Sequence, residues 1–310
     1  MNWAPIVLFT YDRPVHTRQT LDALSSNEGA RESDLLVYSD GPKTADREES
    51  VRAVRDCLRS VAGFKSVTVV EREENLGLAN SVIAGVTETL QSSPLVIVME
   101  DDLLTSTDFL AFVNAALDTY ENRPDIFSVT GYNYPLEIPS TYGEDAYLSY
   151  RSSSWGWGTW QDRWSQVDWS VADYDAFERD AQAQELFRRG GDDLPQMLEL
   201  QMSGKLDSWS IRFDYAHYRH DAFCLHPVIS KVQNIGFDGS GAHCGDDSDG
   251  YHVELDPGNR PFRLDADLTI DSSVLRAFDR KFRPGKAAAL RSSGLRRGKR
   301  IMKRLVPFAS

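Results

Sequence analysis

Apolar residues follow two alternating rhythms along the first 130 positions. Pro5–Tyr11, Asp34–Ser39, Ser66–Val70, Leu95–Met99 and Ile126–Gly131 are short runs of strand length. Between them, apolar residues recur at helical spacing. The helical stretches are Thr17–Ser25, Thr44–Ser60 (Val51, Val54, Leu58), Ala79–Leu90 (Val82, Ile83, Val86, Leu90) and Phe109–Tyr120 (Phe112, Val113, Ala116, Leu117). This strand–helix alternation predicts an α/β fold, with a parallel or mostly parallel sheet covered on both faces. In such sheets ligands sit beyond the carboxyl ends of the strands.

The second half is less regular. Five tryptophans (155, 157, 160, 164, 169) crowd the segment Trp155–Trp169. Helical patterns follow at Asp173–Arg189, around Leu194–Met202 and at Ser208–Arg219, and Ala222–Lys231 reads as a strand. Gln233–Gly250 is rich in Gly, Asp and Ser with no apolar period, which predicts a loop. No internal repeat and no linker interrupt the chain before about residue 265. The expected organisation is one unit over residues 1–265 and an extension over 266–310.

Charge sets that extension apart. The chain of 310 residues has a net charge of −13, yet residues 276–310 hold 12 Lys and Arg against one acid, Asp279, so the remainder carries −24. An acidic body repels nucleic acid at long range, which argues against a duplex-binding protein. Between Ser293 and Phe308 the basic residues alternate with Leu295, Ile301, Met302, Leu305 and Val306. On a helix this makes a cationic face beside an imperfect apolar one. Such a segment either lies on an anionic membrane surface, at roughly 1 kcal/mol per basic residue, or is a solvated charge run.

Cys57, Cys224 and Cys244 are odd in number and far apart, with no Cys/His zinc spacing. No apolar run approaches the length of a membrane span, and the chain enters its first strand too early for a leader. The expected compartment is the reducing cytoplasm, with the tail possible on the inner membrane face.

Three strand ends carry polar groups that suit a nucleotide diphosphate. The first run leads to Tyr11-Asp12-Arg13, the second to Asp40-Gly41, and Leu95-Val-Ile-Val-Met99 to Glu100-Asp101-Asp102. A rigid strand delivering carboxylates at its open end can hold Mg²⁺ or Mn²⁺ beside phosphate oxygens. Arg13 can neutralise phosphate, and Asp40 can accept from a base N–H. Strand ends are also polar merely because loops are solvated; three such ends in one sheet favour a nucleotide site. There is no G-x-G-x-x-G, no P-loop and no G-x-S-x-G elbow, which disfavours a dinucleotide oxidoreductase, a P-loop kinase and a serine hydrolase.

Taken in order, Asp12-Arg13, Asp40, Val98-Met-Glu-Asp-Asp-Leu103 with Asp108-Phe109, Gly156-Trp-Gly158, Leu206-Asp-Ser-Trp209 and His226-Pro-Val-Ile-Ser230 before a glycine-rich loop form a recognisable series. From Ile6 to about Gly250 the chain resembles nucleotide-sugar glycosyltransferases of the GT-A, Rossmann-like fold. Bacterial family-2-like members and the N-acetylglucosaminyltransferase I type are nearest in pattern. The resemblance implies a metal-dependent transferase acting on a nucleotide sugar, with UDP the expected nucleotide. It implies Asp102 as the ligand of Mn²⁺ or Mg²⁺, Glu100 and Asp101 as sugar or ribose contacts, Asp40 against the uracil and Arg13 near the phosphates. Asp207 aligns with the catalytic base, which implies inversion at the anomeric carbon, and Gly236–Gly250 with a segment closing over the donor. Leu206 replaces an aromatic residue beside that base, so the donor need not be an N-acetylhexosamine. A glycan or lipid-linked glycan acceptor in surface glycan assembly is the family default.

Several residues keep two readings. Asp207 also suits a helix N-terminus, and Asp214 is a rival base. Trp155, Trp157 and Trp209 either contact sugar or acceptor or belong to the core. His243 either meets the metal or β-phosphate or is solvated. Asp246, Asp247 and Asp249 lack an EF-hand pattern. As whole functions, the alternatives are a sugar-phosphate nucleotidyltransferase, for which Phe9–Pro14 lacks the glycines, and a non-catalytic carbohydrate-binding protein.

Overall fold

A computed structural model of the chain describes residues 3–238, 250–258 and 261–284. His243, Cys244, the Asp246–Asp249 group and the segment 293–308 lie outside the described residues. Ten strands are β1 Ile6–Thr10, β2 Asp34–Ser39, β3 Ser66–Glu71, β4 Leu95–Glu100, β5 Leu103–Thr105, β6 Ile126–Thr130, β7 Ala146–Ser149, β8 Trp157–Trp160, β9 Phe223–Pro227 and β10 Val232–Asn234. The α-helices are α1 Pro14–Ser25, α2 Glu48–Leu58, α3 Leu78–Thr89, α4 Phe109–Thr119, α5 Gln161–Trp164, α6 Tyr174–Arg179, α7 Ala181–Phe187, α8 Leu194–Met202, α9 Trp209–Arg219 and α10 Ser272–Phe282.

Eight strands form one sheet in the order β3-β2-β1-β4-β8-β6-β9-β7. β1 to β4 run parallel, each separated in sequence by a helix. β8 runs antiparallel between β4 and β6, β9 is parallel to β6, and β7 is antiparallel to β9. The sheet is therefore an α/β sheet of mixed direction, parallel through the half that carries the predicted strand ends.

Period-2 alternation explains why the central strands read as unbroken apolar runs. Ile6, Leu8, Ile97 and Met99 face one core with α1, α2 and α4, while Val7, Phe9, Val96 and Val98 face another with α3 and α9. In α2 the buried Val51, Val54 and Leu58 form one stripe, with Glu48 and Glu49 in its first turn and Arg55 in its last. Those charges complement the helix dipole.

Most predicted elements appear within two residues of their expected ends, and the departures have local causes. The pattern at Asp173–Arg189 divides into α6 and α7 because Asp180 is extended and its side chain accepts from Gln182 N–H and Ala183 N–H as an N-cap. The strand expected over Ala222–Lys231 stops at Pro227, which has no N–H to donate. The expected loop after Gln233 instead begins within β10, which pairs antiparallel with β5 to make a second, two-stranded sheet. β7 and β8 were not anticipated; β8 is Trp-Gly-Thr-Trp, four residues with no usable period.

Residues 266–284, grouped by charge with the tail, include a helix packed on the main core. Asp271 caps α10 by accepting from Ser273 N–H and Val274 N–H. Val274, Ala277, Phe278 and Phe282 form its buried stripe, and Phe278 and Phe282 lie edge-on to Tyr134 at 5.9 and 4.9 Å. Burying two Phe side chains stabilises this docking by about 3–6 kcal/mol before entropy is counted. Lys231 ties residues 250–258 to the body: buried, it donates to Asp108 and, at 2.8 Å, to Asp256. No described helix is long and apolar enough to cross a membrane.

Candidate functional site

The carboxyl ends of β1, β2 and β4 meet because the strands are adjacent and in register. Phe9 pairs with both Tyr38 and Glu100, and Thr10 with Ser39. Glu100 is the buried last residue of β4, and Asp101-Asp102 form the turn into β5. From the other side β10 extends the small sheet: Asn234 pairs with Leu103, and Ile235 N–H donates to the Asp102 carbonyl at 2.8 Å. Gly236 follows, lying directly on the Asp102 side chain. A Cβ built there would fall 2.1 Å from Asp102 Oδ2 and 2.9 Å from Arg13 Nη1, so only glycine permits this approach.

Arg13 closes the turn after β1. Its Nη2 donates to Asp101 Oδ1 at 2.7 Å and to Asp102 Oδ2 at 2.9 Å, while Tyr11 N–H donates to Asp101 Oδ2 at 3.3 Å. Both carboxylates are buried. Burial pushes the Asp102 carboxyl above its usual range, against the pull of Arg13. Burial also works against the charge of Arg13, but Asp101 and Asp102 outweigh it and raise its pKa. Among the described residues, Arg13 Nη1, Asp102 Oδ1 and Thr10 Oγ1 are buried polar atoms with no hydrogen-bond partner. A buried donor and a buried acceptor left open on one ion pair cost about 1–3 kcal/mol each in an empty protein.

The end of β2 has a different job from the one expected. Asp40 is buried, and its carboxylate accepts from Leu76 N–H at 3.0 and 3.1 Å and from Gly77 N–H at 3.1 Å. Asn75 Nδ2 donates to the Gly41 carbonyl at 2.9 Å, locking the two turns together. Asp40 thus holds the loop before α3, a demand that Asn75-Leu76-Gly77 does not advertise in sequence. Both of its oxygens serve backbone donors of that loop.

Asp207 reaches the same loop from the other half of the chain. Its Oδ2 is 3.7 Å from the Cβ position of Gly77, the residue that opens α3 with φ 73°. The helix's free N–H groups favour negative charge there. Asp207 is exposed. Next to it, Ser208 caps α9 by accepting from Ile211 N–H, and Arg212 Nε donates to the Ser208 carbonyl at 3.0 Å. Burial lowers the pKa of Arg212, and the charge of Asp207 pulls it back. Asp214, the rival base, lies inside the protein; burial pushes it up to about 6, and its Oδ1 accepts from Ser152 N–H at 2.7 Å.

The tryptophan readings resolve toward packing. Trp155, Trp157 and Trp209 are each 1% exposed. Trp157 stacks on Trp209 with centroids 4.9 Å apart and on Trp164 at 5.8 Å; Trp155 sits edge-on to Tyr132 at 4.4 Å and to Phe237 at 5.7 Å. Rings this enclosed are part of the core packing in this structure, the second of the two readings. One residue beside the cluster, His16, is not marked by any sequence pattern. His16 Nε2 lies 3.2 Å from Asp238 Oδ2.

Among the described residues, no group of three or more His, Cys, Asp or Glu side chains is placed to hold a metal ion. A cation carried by a diphosphate needs only one or two carboxylates from the protein, and the open Asp102 Oδ1 fits that demand.

No protein-family model and no curated protein matches the chain. Among solved structures it is similar to the mannosyltransferase PcManGT from Pyrobaculum calidifontis in complex with GDP-Man and Mn²⁺. That likeness has 12% identity over 71% of this chain and 70% of the other, with a TM-score of 0.39. S. aureus TarS is 12% identical over 74% of this chain and 36% of its own, at TM-score 0.41. Apo mouse xyloside xylosyltransferase 1 is 9% identical over 70% and 82%, at TM-score 0.36.

Proposed function

We propose that the chain is a glycosyltransferase that moves a sugar from a nucleotide donor, UDP-linked, to an acceptor hydroxyl with inversion. One observation carries the reading. At the carboxyl ends of β1 and β4, a buried ion pair presents an open cation donor, Arg13 Nη1, beside an open anionic acceptor, Asp102 Oδ1. The ligand that satisfies both at once is an anion with its own cation, which describes a metal diphosphate.

In this reading Arg13 binds the diphosphate, and Asp102 holds Mn²⁺ or Mg²⁺. When bound, the divalent ion supplies positive charge against the departing diphosphate. Glu100 and Asp101 lie on the ribose and sugar side. Asp40 shapes the base side by fixing Leu76 and Gly77. Asp207, exposed beside the start of α3, takes the proton of the acceptor hydroxyl, whose oxygen then bonds to the anomeric carbon as the nucleotide leaves. His243 and the rest of Gly236–Gly250 would meet the donor phosphates. The acceptor is a glycan or lipid-linked glycan of a surface-glycan pathway, which the basic segment 293–308 would bring close by binding an anionic inner membrane face.

A panel of nucleotide sugars, scored by thermal stabilisation with and without Mn²⁺, tests the reading. Stabilisation by one UDP-sugar that requires Mn²⁺, and that vanishes in Asp102→Asn, is the expected result. Stabilisation by no nucleotide sugar, or stabilisation unchanged by Asp102→Asn, overturns it.

A further inference from the structure

Two arginine–aspartate pairs in this protein are built differently. Arg151 meets Asp193 fork to fork, Nη1 to Oδ1 at 2.8 Å and Nη2 to Oδ2 at 2.9 Å, and Nη1 also donates to the Gly190 carbonyl. That engages both Nη nitrogens with one carboxylate, the geometry of a pair that stabilises a fold. Arg13 instead spends one nitrogen, Nη2, on two carboxylates and leaves Nη1 without a partner among the described residues. Its guanidinium sits where a cation bound by Asp102 would feel it, and Gly236 leaves no spare room on that side.

Resting on the nucleotide-sugar reading, we propose that Arg13 is an interlock between metal and donor. While no donor is bound, its guanidinium neutralises Asp101 and Asp102 and keeps a divalent cation off Asp102. An arriving diphosphate draws Nη1 and then Nη2 onto its own oxygens, because phosphate offers a fork-shaped set of acceptors that two separate carboxylates do not. Asp102 is released at that moment, and the cation enters together with the phosphates that complete its ligand shell. Like charges also forbid the intermediate in which Arg13 and the cation share the two carboxylates without phosphate. The cation site is therefore conditional on donor, and the site does not collect metal alone.

Removing Arg13 should then strengthen binding of bare metal, which is opposite to the effect of damaging a metal site. Free Mn²⁺ is followed by electron paramagnetic resonance during titration of the full-length protein, and UDP and GDP binding is measured by calorimetry in metal-free buffer. Arg13→Gln is expected to bind Mn²⁺ alone about tenfold more tightly than the wild type and to bind the nucleotide about tenfold less tightly. Adding Asp102→Asn should abolish the gained Mn²⁺ affinity. Arg13→Lys keeps the charge without the fork and should fall between the two on both measures, which serves if the Gln protein folds poorly. Equal or weaker Mn²⁺ affinity in Arg13→Gln, with nucleotide binding by the wild type intact, overturns the interlock alone. Failure of the wild type to bind UDP or GDP with or without Mn²⁺ overturns the nucleotide-sugar reading and the interlock with it.

Discussion

Asp207 and Gly77 lie 130 positions apart in the chain, yet Asp207 Oδ2 stands 3.7 Å from the point where a side chain on Gly77 would begin. Gly77 has φ 73° and ψ 157°, a conformation that essentially only glycine adopts. Its N–H is held by Asp40, so the backbone cannot relax away.

Gly77→Ala should therefore injure both stability and the proposed base, Asp207. The strained backbone is expected to cost about 1–3 kcal/mol, read by urea denaturation. A methyl group at van der Waals distance from Asp207 should lower kcat more than nucleotide affinity. An alanine protein of wild-type stability would show that the loop is not held as described.

Replacing Asp207 by Asn keeps shape and removes the proton acceptor. A fall in kcat of roughly 10²–10⁴ is expected, with UDP affinity unchanged. Product configuration, determined by NMR, should show inversion at the anomeric carbon. Retention, or a kcat within a few-fold of wild type, would exclude Asp207 as the base.

Trp157→Ala tests whether the aromatic cluster is core. Because the ring is 1% exposed and stacked on Trp209 and Trp164, the loss should be about 3–5 kcal/mol in unfolding free energy. Donor binding in the folded fraction should stay within a few-fold of wild type. A stable Trp157→Ala protein with selectively weakened sugar binding would return the ring to the ligand.

His217 sets an acid limit on the fold. It is fully buried, its Nδ1 is 2.8 Å from the Phe213 carbonyl and its Nε2 is 2.8 Å from Ser128 Oγ, a pattern met by the neutral ring. Burial lowers its pKa to about 4, below the ordinary 6.5. The unfolded chain therefore takes up the proton first, so stability present above pH 6.5 is lost as pH falls toward 4. The contribution is about 3 kcal/mol across that window. Asp214, raised to about 6, acts oppositely: its contribution is fully present below pH 4 and is lost as pH rises through 6. Comparing wild type with His217→Gln by denaturation at several pH values should show a shallower acid loss in the variant; parallel curves would mean that His217 takes up its proton equally in the folded and unfolded chain.

The parallel half of the sheet was legible because strands buried on both faces appear as unbroken apolar runs, and Leu95–Met99 ending in three carboxylates marks its own site. β8 was illegible for the opposite reason. Trp157-Gly-Thr-Trp160 owes its strand state to β4 and β6 on either side, a tertiary cause with no local period. The same limit applied to function. Arg13, Asp101 and Asp102 are adjacent to obvious strand ends, and the structure joins them. The backbone partners of Asp40 lie 36 and 37 residues downstream in a loop, so no local pattern foretells the clamp it forms.

β8 begins at residue 157, whereas its neighbour β4 ends at 100. During synthesis the strand that delivers Asp102 is complete long before the strand that covers its open side leaves the ribosome. Until then Leu95–Val98 presents bare backbone donors and acceptors along a greasy ribbon, a template for unwanted pairing with other nascent chains. Expression fragments ending before Trp157 would carry that exposed ribbon permanently and should precipitate, whatever their share of the ligand-binding groups.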